Sequence, residues 1–227
     1  MTRAMSQGQR VVRVKNPERP RLPSSLRPAL EATDALEDDA IIKGVRFAST
    51  VFAGLSAEAV EVEGCRFEST RFTGTELRNS QFCDAEFETC DFAQFRGLDV
   101  SLIRCRVTGS RVTGSSWRSS TLRDVHFENC PSGPAMFRQS KVYAVRFTDC
   151  KMPGADFQGA HLHNVLFERC DLTGAQFANV QVGSVRFENC TLVDVGGTAS
   201  LKGAVVQGPG SMELALSLAR EAGLIFE

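Results

Sequence analysis

Large apolar side chains recur at every fifth residue of this chain from Ile42 to Leu192. The frame contains 31 positions, and 28 of them hold Phe, Leu, Val, Ile, Met or Trp. The three exceptions are Ala57, Gly97 and Ser132. Fourteen of the 16 Phe residues of the chain lie in this frame, which accounts for the unusual aromatic composition. Any fold for this chain must therefore bury one large side chain in nearly every five residues.

Neither regular secondary structure accommodates a period of five over this length. An α-helix would spread such residues around all of its sides, because its own period is 3.6 residues. A long strand needs a period of two, which a step of five breaks at each repeat. Mostly small residues lie two positions before each apolar centre, and Gly, Asn or Asp fills 19 of the 31 positions two after it. The pattern predicts a short strand and a quarter turn every five residues, so that four sides close a square coil.

Similarity between every fourth pentapeptide indicates that one coil has four sides. The column from Phe47 to Phe187 holds Phe at seven of its eight positions. The column from Cys90 to Cys190 holds Cys at five of its six positions. Related pentapeptides also recur at this step, at 126–130, 146–150, 166–170 and 186–190. We expect successive coils to stack about 4.8 Å apart through parallel backbone hydrogen bonds.

Two of the three small centres are preceded by a large inward neighbour. Leu55 lies two residues before Ala57, and Phe95 lies two residues before Gly97. Both pairs fall on the same side of the coil, so we expect the larger neighbour to keep the core volume roughly constant. Ser132 has no such neighbour and lies in a Pro-Ser-Gly-Pro segment, where we expect a local bulge.

This repeat resembles the pentapeptide-repeat family, whose members form right-handed quadrilateral β-helices. The resemblance covers residues 40–196, which is roughly eight coils. It implies an all-β fold, a right-handed quadrilateral parallel β-helix with a short C-terminal capping helix. At about 4.8 Å per coil the rod would be a little under 40 Å long.

The flanking segments divide the chain into three parts. Residues 1–39 are predicted to form a basic flexible arm and an N-terminal cap, residues 40–196 the β-helix, and residues 197–227 a C-terminal cap with a helix. Such caps are expected because a stacked coil leaves open strand edges and an open core at both ends.

The C-terminal segment carries the signals of a short helix. Ser211 is predicted to be its N-cap, Glu213 lies in its first turn, and Gly223 ends it. We expect this helix to cover the last coil. Similar helices in the family also carry a dimer contact, so the resemblance implies a homodimer through this helix.

The N-terminal segment changes charge along its length. Residues 1–28 contain seven bases and four Pro, and residues 31–39 contain five acids. We expect a flexible basic arm over 1–28, followed by a segment around Leu22–Leu36 that covers the first coil. The run Val11–Val14 is a candidate for an added strand.

Seven of the eight Cys occupy the small inward position, where Ala, Ser, Thr and Val also occur. We interpret them as small buried apolar residues. The ladder spacing of about 4.8 Å disfavours disulfides between coils, and parallel side chains do not converge on a metal. Cys83 follows the centre Phe82, so it is the thiol that we expect to face outward and to react.

The sequence offers no catalytic, cofactor-binding or metal-binding residues. His161 and His163 flank Leu162 and should point outward, but no column of Cys, Asp or Glu joins them at the same height. No nucleophile motif, phosphate-binding Gly loop or pair of carboxylates in a cleft can be named. We therefore expect neither an enzyme nor a small-molecule substrate or cofactor. No apolar run approaches the roughly 20 residues needed to cross a bilayer, so we expect no membrane insertion.

Charge is balanced over the whole chain but banded along it. The net charge is −1, while residues 58–99 carry −6, residues 104–146 carry +6 and residues 149–195 carry −3. One interpretation is a ladder of mutually neutralising charges on a solvated face; the other is a banded surface that docks a partner. One outward column reads Arg46, Arg66, Glu86, Arg106, His126, Arg146, Leu166, Arg186, and another holds Glu68, Glu88, Glu128, Glu168 and Glu188.

Our leading hypothesis is a non-enzymatic scaffold that binds an unidentified protein in the cytoplasm. The family resemblance implies a type II topoisomerase such as DNA gyrase as an alternative partner, protected against quinolones by a DNA-like acidic rod. Residues 40–200 hold 18 acids and 17 bases, which is unlike such a rod. A second alternative is salt-sensitive binding of nucleic acid or another anionic surface through the arm at 1–28 and the band at 104–146.

Overall fold

The computed structural model describes residues 13–30, 33–131 and 133–226 of the 227. These residues form a parallel β-solenoid of about nine turns with one short helix near the C-terminus, and the predicted right-handed quadrilateral β-helix is confirmed. The candidate strand at 11–14 falls partly outside the described residues, and 13–14 are not in a strand.

Eighteen short strands, one 3-10 helix and one α-helix make up the described part of the chain. In chain order they are β1 (Arg27–Pro28), β2 (Ile41–Lys43), β3 (Val45–Ala48), β4 (Ser56–Glu58), β5 (Glu61–Glu63), β6 (Arg66–Glu68), β7 (Glu76–Arg78), β8 (Gln81–Cys83), β9 (Glu86–Glu88), β10 (Arg96–Leu98), β11 (Ser101–Thr108), β12 (Ser116–Arg118), β13 (Thr121–Glu128), β14 (Lys141–Thr148), β15 (His161–Glu168), β16 (Gln181–Val182), β17 (Val185–Glu188), the 3-10 helix (Thr198–Leu201), β18 (Val205–Gln207) and α1 (Gly210–Glu221).

Four walls surround the core, and each wall pairs with its own continuation one coil further along the chain. Wall 1 contains the centres from 42 to 182, and wall 2 contains the Phe column from 47 to 187; both belong to one 14-stranded sheet. Wall 3, with centres from 52 to 192, pairs through single bridges such as Val51 with Arg71. Wall 4, with centres from 57 to 177, starts with a four-stranded sheet of β4, β7, β10 and β12.

Left-handed backbone conformations turn the chain at the corners. All 21 described non-glycine residues with positive φ, from Asp39 to Asp194, lie in the register that is two residues after the centres. These are the positions at which the sequence is rich in Gly, Asn and Asp, the residues that adopt this region most readily. The corner that joins wall 1 to wall 2, here called corner 1–2, contains residues 44, 64, 84, 104, 124, 144 and 164.

Phe rings fill the interior as stacks that run along the axis. Phe147 lies parallel to Phe127 and Phe167, with ring centroids 4.9 and 5.0 Å apart. It meets Phe137 and Phe157 of wall 4 edge-on, at 5.9 and 6.2 Å. Offset-parallel and edge-on contacts are the arrangements that aromatic rings prefer. The parallel spacing is close to the distance between strands, so each ring sits on the ring one coil below.

The two volume compensations that the sequence predicted have different outcomes. Phe95 is buried beside Gly97 and lies 4.6 Å from the ring of Trp117. Leu55 is instead 40% exposed, so its predicted inward position is wrong. It lies in the first coil, where it lines an open depression of about 510 Å³ at the N-terminal end of the solenoid. The cap below that coil leaves Leu55 uncovered, whereas Phe95 is enclosed by coils on both sides.

Pairing shifts by one residue near Ser132, which itself lies outside the described residues. The amides of Gly74 and Gln94 donate to residues 19 positions ahead, whereas the amide of Gly114 donates to Pro134, 20 positions ahead. The coil continues past this point, since Lys151 pairs with Pro131.

At the N-terminal end, the chain adds a partial coil below the first complete one. Strand β1 pairs with β3 and extends wall 2. The guanidinium of Arg27 donates two hydrogen bonds of 2.6 Å to the buried carboxylate of Asp34. This guanidinium keeps the pKa of Asp34 below its usual range. Leu36 then enters the hydrophobic core and closes it.

At the C-terminal end, α1 covers the last coil and bonds to its free amides. The carboxylate of Glu213 accepts the amide of Leu192 at 2.6 Å, and the carboxylate of Glu221 accepts the amides of Gly197 and Thr198. Two helix side chains thus accept hydrogen bonds from amides of the last coil, which has no further coil to pair with.

The predicted N-cap of this helix is wrong. The helix begins at Gly210 with Pro209 at the N-cap, and no side chain caps it. Proline fixes φ in the helical range, which suits a helix start. The Ser211 hydroxyl is already used, because it donates to the carbonyl oxygen of Gly208 at 2.8 Å.

Removing one ring from the stack should destabilise the solenoid strongly. We expect Phe147→Ala to lower the free energy of unfolding by about 3–5 kcal/mol, since Phe147 is fully buried between two parallel rings. The guanidinium chloride midpoint measures this effect. Leu98→Ala, at a position 39% exposed, is the control and should change stability by about 0.5 kcal/mol or less. Equal effects of the two substitutions would contradict the stacked core.

Candidate interaction surfaces

The outward charges of wall 2 neutralise one another between coils. Arg46, Arg106 and Arg146 each reach a glutamate one coil further along, with N–O distances of 2.5–2.7 Å. Arg66 reaches Glu86 in the next coil at 2.7 Å. The two columns that the sequence singled out therefore form ion pairs between neighbouring coils, and positive and negative charges on wall 2 largely offset one another.

Ion pairs also connect the charge bands along the chain. Five of the eight bases in the band 104–146 are in ion pairs, and four of these five pair with acids of the flanking negative bands. For example, Arg111 pairs with Asp91 and Arg138 pairs with Asp156. These four pairs link the basic band to the acidic bands on neighbouring coils. Among the described residues, the three bases of this band without an ion pair are Arg118, Arg123 and Lys141.

Two of these unpaired bases lie together on the C-terminal half of wall 1. The outward positions there, from 121 to 183, include no acid. Exposed cations and aromatic rings therefore dominate this half, in contrast to the other half, which contains Glu61 and Glu63. The group is called the wall 1 patch and consists of Arg123, Lys141, Tyr143, His161 and His163.

Three members of the wall 1 patch stack along the axis. The Tyr143 ring lies parallel to the His163 ring with centroids 5.1 Å apart, and the Arg123 guanidinium lies 5.6 Å from the Tyr143 centroid. Tyr143 remains 46% exposed. The sequence analysis singled out His163 but missed the stack, although the spacing of one coil from each of the three residues to the next signals it.

The three histidines do not assemble a metal site in the described part of the chain. His161 and His163 are exposed on wall 1, and no group of three metal-ligating side chains is found among the described residues. His126 lies on wall 2, half-buried, with Nε2 3.1 Å from the Thr148 hydroxyl. Burial lowers the pKa of His126; the nearby Glu128 carboxylate opposes this shift, and Arg106 and Arg146 add to it.

The described part of the predicted basic arm, residues 13–28, does not project from the solenoid. It runs along corner 1–2, where the amide of Glu18 donates to the Asp124 carboxylate at 3.1 Å. Two of its bases are paired within the segment or with the cap, Arg21 with Glu18 and Arg27 with Asp34. The exposed side chains of its remaining bases, Arg13, Lys15 and Arg19, lie outside those pairs.

Helix α1 has a second apolar stripe on the side away from the coil. Its inner side contains buried Ser217 and partly buried Leu214, which packs against the core. The outer side presents Met212, 69% exposed, and Leu216, 37% exposed. These two side chains, one turn apart, leave a small uncovered apolar surface at the C-terminal end of the solenoid.

Open depressions on wall 4 hold charged and polar side chains. One of about 530 Å³ and one of about 500 Å³ share Ser116, Arg118 and Met136. In the first of them Arg96 is paired with Glu76 at 2.5 Å. Neither lining brings a nucleophile together with a base among the residues that the structure describes.

The cysteines follow the predicted inward column. All eight are free, and seven of them are buried. Burial raises the pKa of Cys90 to about 11 and that of Cys105 to about 12. Cys83 is partly exposed, and its Sγ lies 3.0 Å from a guanidinium nitrogen of Arg104. Partial burial and the neighbouring Asp84 carboxylate raise the pKa of Cys83 as well.

Only Cys83 should react with a thiol reagent in the native protein. We expect one of the eight thiols to titrate with a chromogenic disulfide, and the other seven to react after unfolding. The rate should increase as the pH rises from 7 to 9, because the raised pKa keeps Cys83 protonated at neutral pH. Cys83→Ser should abolish the native reaction, and Cys90→Ser should leave it unchanged. If two or more thiols of the native protein reacted quickly, the inward orientation of the other seven cysteines would be contradicted.

No helix in the described residues can cross a bilayer; α1 has 12 residues.

Two family models match the chain: one described as pentapeptide repeat region matches residues 132–196, and one described as pentapeptide repeats (8 copies) matches residues 62–97. A search of curated proteins finds no match.

Solved structures of two other proteins are similar to this chain. A trypsin-treated form of QnrB1, a plasmid-mediated fluoroquinolone resistance protein, has 16% identity and a TM-score of 0.47, covering 84% of this chain and 99% of that one. HetL of Nostoc sp. strain PCC 7120, a pentapeptide repeat protein involved in heterocyst differentiation regulation, has 13% identity and a TM-score of 0.43, covering 76% and 92%. The two matched ranges lie within the four-walled solenoid, so the chain resembles the pentapeptide-repeat family in both its sequence and its coil.

Proposed function

We propose that this chain is a non-enzymatic scaffold that acts by binding another protein through its outer walls. The wall 1 patch is the observation that carries the proposal. It combines two cations that lack an ion pair among the described residues with a half-exposed tyrosine, and arginine and tyrosine often dominate the energy of protein interfaces. Because the patch contains no acid, its partner would present a complementary acidic surface.

The remaining walls support a scaffold rather than an enzyme. Several of their charged side chains are paired between coils, such as Arg96 with Glu76 and Arg111 with Asp91. The depressions on wall 4 lack a matched nucleophile and base among the described residues. Side chains on flat, continuous walls point in parallel, which suits broad contact with a partner better than the enclosure of a small substrate. The free thiols suit a reducing compartment, and we place the protein in the cytoplasm.

The outer stripe of α1 supports a homodimer. Met212 and Leu216 are one turn apart on the side of the helix that faces away from the coil. A second copy provides the same stripe, so a two-fold contact would bury both stripes at once. Two scaffolds joined at their C-terminal ends would present two copies of the wall 1 patch.

A topoisomerase partner bound by DNA mimicry fits this surface less well. Mimicry of DNA needs a continuous column of free negative charge, whereas Glu68, Glu128 and Glu168 are each paired with an arginine. Nucleic-acid binding is a second candidate, because the wall 1 patch and the exposed arm bases lie on adjoining surfaces. Such binding would be strongly salt-dependent.

The wall 1 patch should bind an acidic peptide. We expect a fluorescent oligo-glutamate peptide to bind the full chain at low salt, and Arg123→Glu/Lys141→Glu to weaken binding at least fivefold. Arg71→Glu/Lys151→Glu, which changes two exposed bases of wall 3, is the control and should have a smaller effect. Tighter binding of single-stranded DNA that Tyr143→Ala weakens would favour the nucleic-acid candidate instead. If both double variants lost the same amount of peptide affinity, the wall 1 patch would not be the binding surface.

The outer stripe of α1 should hold two copies together. We expect the protein to sediment as a dimer at micromolar concentration and Met212→Glu/Leu216→Glu to sediment as a monomer, because buried charge opposes the contact. Val51→Glu/Val193→Glu changes two other exposed apolar residues and should remain dimeric. A wild-type protein that stays monomeric even at high micromolar concentration would exclude this dimer.

A further inference from the structure

The N-terminal arm lies lengthwise across the coils and is held mainly through its backbone. The amides of Lys15, Glu18 and Arg21 each donate to a side-chain oxygen of corner 1–2, at 2.6, 3.1 and 3.0 Å. The acceptors, in the same order, are Asn164 Oδ1, Asp124 Oδ1 and Asp84 Oδ1.

The arm and the corner share a common period. Successive donors are three residues apart, and successive acceptors are two coils apart. Two coils rise about 9.6 Å, since strands are about 4.8 Å apart. Three residues of polyproline II rise about 9.3 Å. An extended chain of this type therefore stays in register with every second coil.

Proline recurs in the arm with the same three-residue period. Pro17, Pro20 and Pro23 each follow a donor residue by two positions. Proline fixes φ near the polyproline value and has no amide hydrogen, so it favours this conformation without competing for the acceptors. The sequence Lys-Asn-Pro-Glu-Arg-Pro-Arg-Leu-Pro at 15–23 is thus three repeats of one recognition unit.

The corner is shaped and charged for such a chain. Gly64 leaves room for Pro23, whose Cδ lies 3.0 Å from the position that a Cβ on residue 64 would take. Arg104 donates two hydrogen bonds of 2.7 Å to Asp84 and keeps the pKa of that carboxyl low, so it remains an acceptor. The acceptors bond to main-chain amides, which every residue except proline provides. The corner therefore recognises conformation and register more than side-chain identity.

The arm is not sealed onto the solenoid. A cavity of about 260 Å³ separates it from wall 2, and the side chains of Lys15, Glu18 and Arg19 are exposed. Arg146 Nε, in the lining of this cavity, is buried without a hydrogen-bond partner among the described residues. Besides its main-chain hydrogen bonds, the arm accepts one side-chain bond, from Arg146 Nη1 to Asn16 Oδ1 at 2.6 Å, and none of residues 13–28 is fully buried. A segment held in this way can exchange with a competitor of the same conformation.

We propose that corner 1–2 is a binding groove for extended peptides with proline at every third residue, which the chain's own arm occupies in cis. A proline-punctuated segment of a partner protein displaces the arm and donates its amides to Asp84, Asp124 and Asn164. This groove is a separate surface from the wall 1 patch, and it stands if the patch proposal fails.

The test removes donors from the arm while the groove stays intact. In the full chain, Glu18→Pro/Arg21→Pro deletes two amide hydrogens at positions where proline keeps the extended conformation. The matched control is Arg19→Pro/Leu22→Pro, since the amides of these residues make no hydrogen bond to the corner in the described structure. A fluorescein-labelled peptide of residues 13–24 serves as the probe, and anisotropy reports its binding. Circular dichroism establishes that each variant is folded.

We expect the peptide to bind Glu18→Pro/Arg21→Pro at least tenfold more tightly than wild type or the control, whose tethered arms compete at high effective concentration. Adding Asp84→Ala/Asp124→Ala to that variant should abolish the gain, and a probe with proline at positions 18 and 21 should not bind. Equal binding to all three proteins would overturn the groove. If the arms of wild-type copies exchanged with one another in a concentration-dependent way and the free peptide did not bind, the proposal that a different protein displaces the arm would be wrong.

Discussion

Stacking of one coil on the next at about 4.8 Å is the constraint on which this protein depends. Backbone hydrogen bonds set that distance, and every side-chain column inherits it. For planar rings it is an acceptable stacking distance, so Phe can occupy the same inward position in coil after coil. The core is consequently built from columns of like residues, and a change at one position is felt by the rings above and below it.

The same spacing organises the outer surface. A charged side chain lies one strand away from its neighbour in the next coil, within reach of a hydrogen-bonded ion pair, as Arg66 and Glu86 show. Most bases of the walls use this reach, so much of the charge on the surface is paired between neighbouring coils. The groups that pairing leaves available for contact include Arg123 and Lys141 on wall 1, and the apolar stripe of α1 lies at one end.

The two ends and corner 1–2 are where segments outside the repeat meet it. At the C-terminal end, Glu213 and Glu221 supply acceptors for amides that lack a further coil. Along corner 1–2, Asp84 and Asp124 supply acceptors for amides of the arm. In both places a carboxylate of one segment satisfies a backbone donor of another, which lets non-repeating chain attach to a repetitive surface without continuing its sheet.

The sequence by itself determined the repeat: the centres, the inward Cys column, the corner positions and the coil of four pentapeptides all follow from a pattern in which each position sees the same environment. It failed where the environment differs from that average. Leu55 lies in an end coil without full cover, and Ser211 has its hydroxyl bonded within the turn. Only the tertiary structure decided the stack of Arg123, Tyr143 and His163 and the path of the arm. These features depend on distances between residues far apart in the chain. The match between three residues of the arm and two coils of the solenoid appears only when the rise of each is expressed in ångströms.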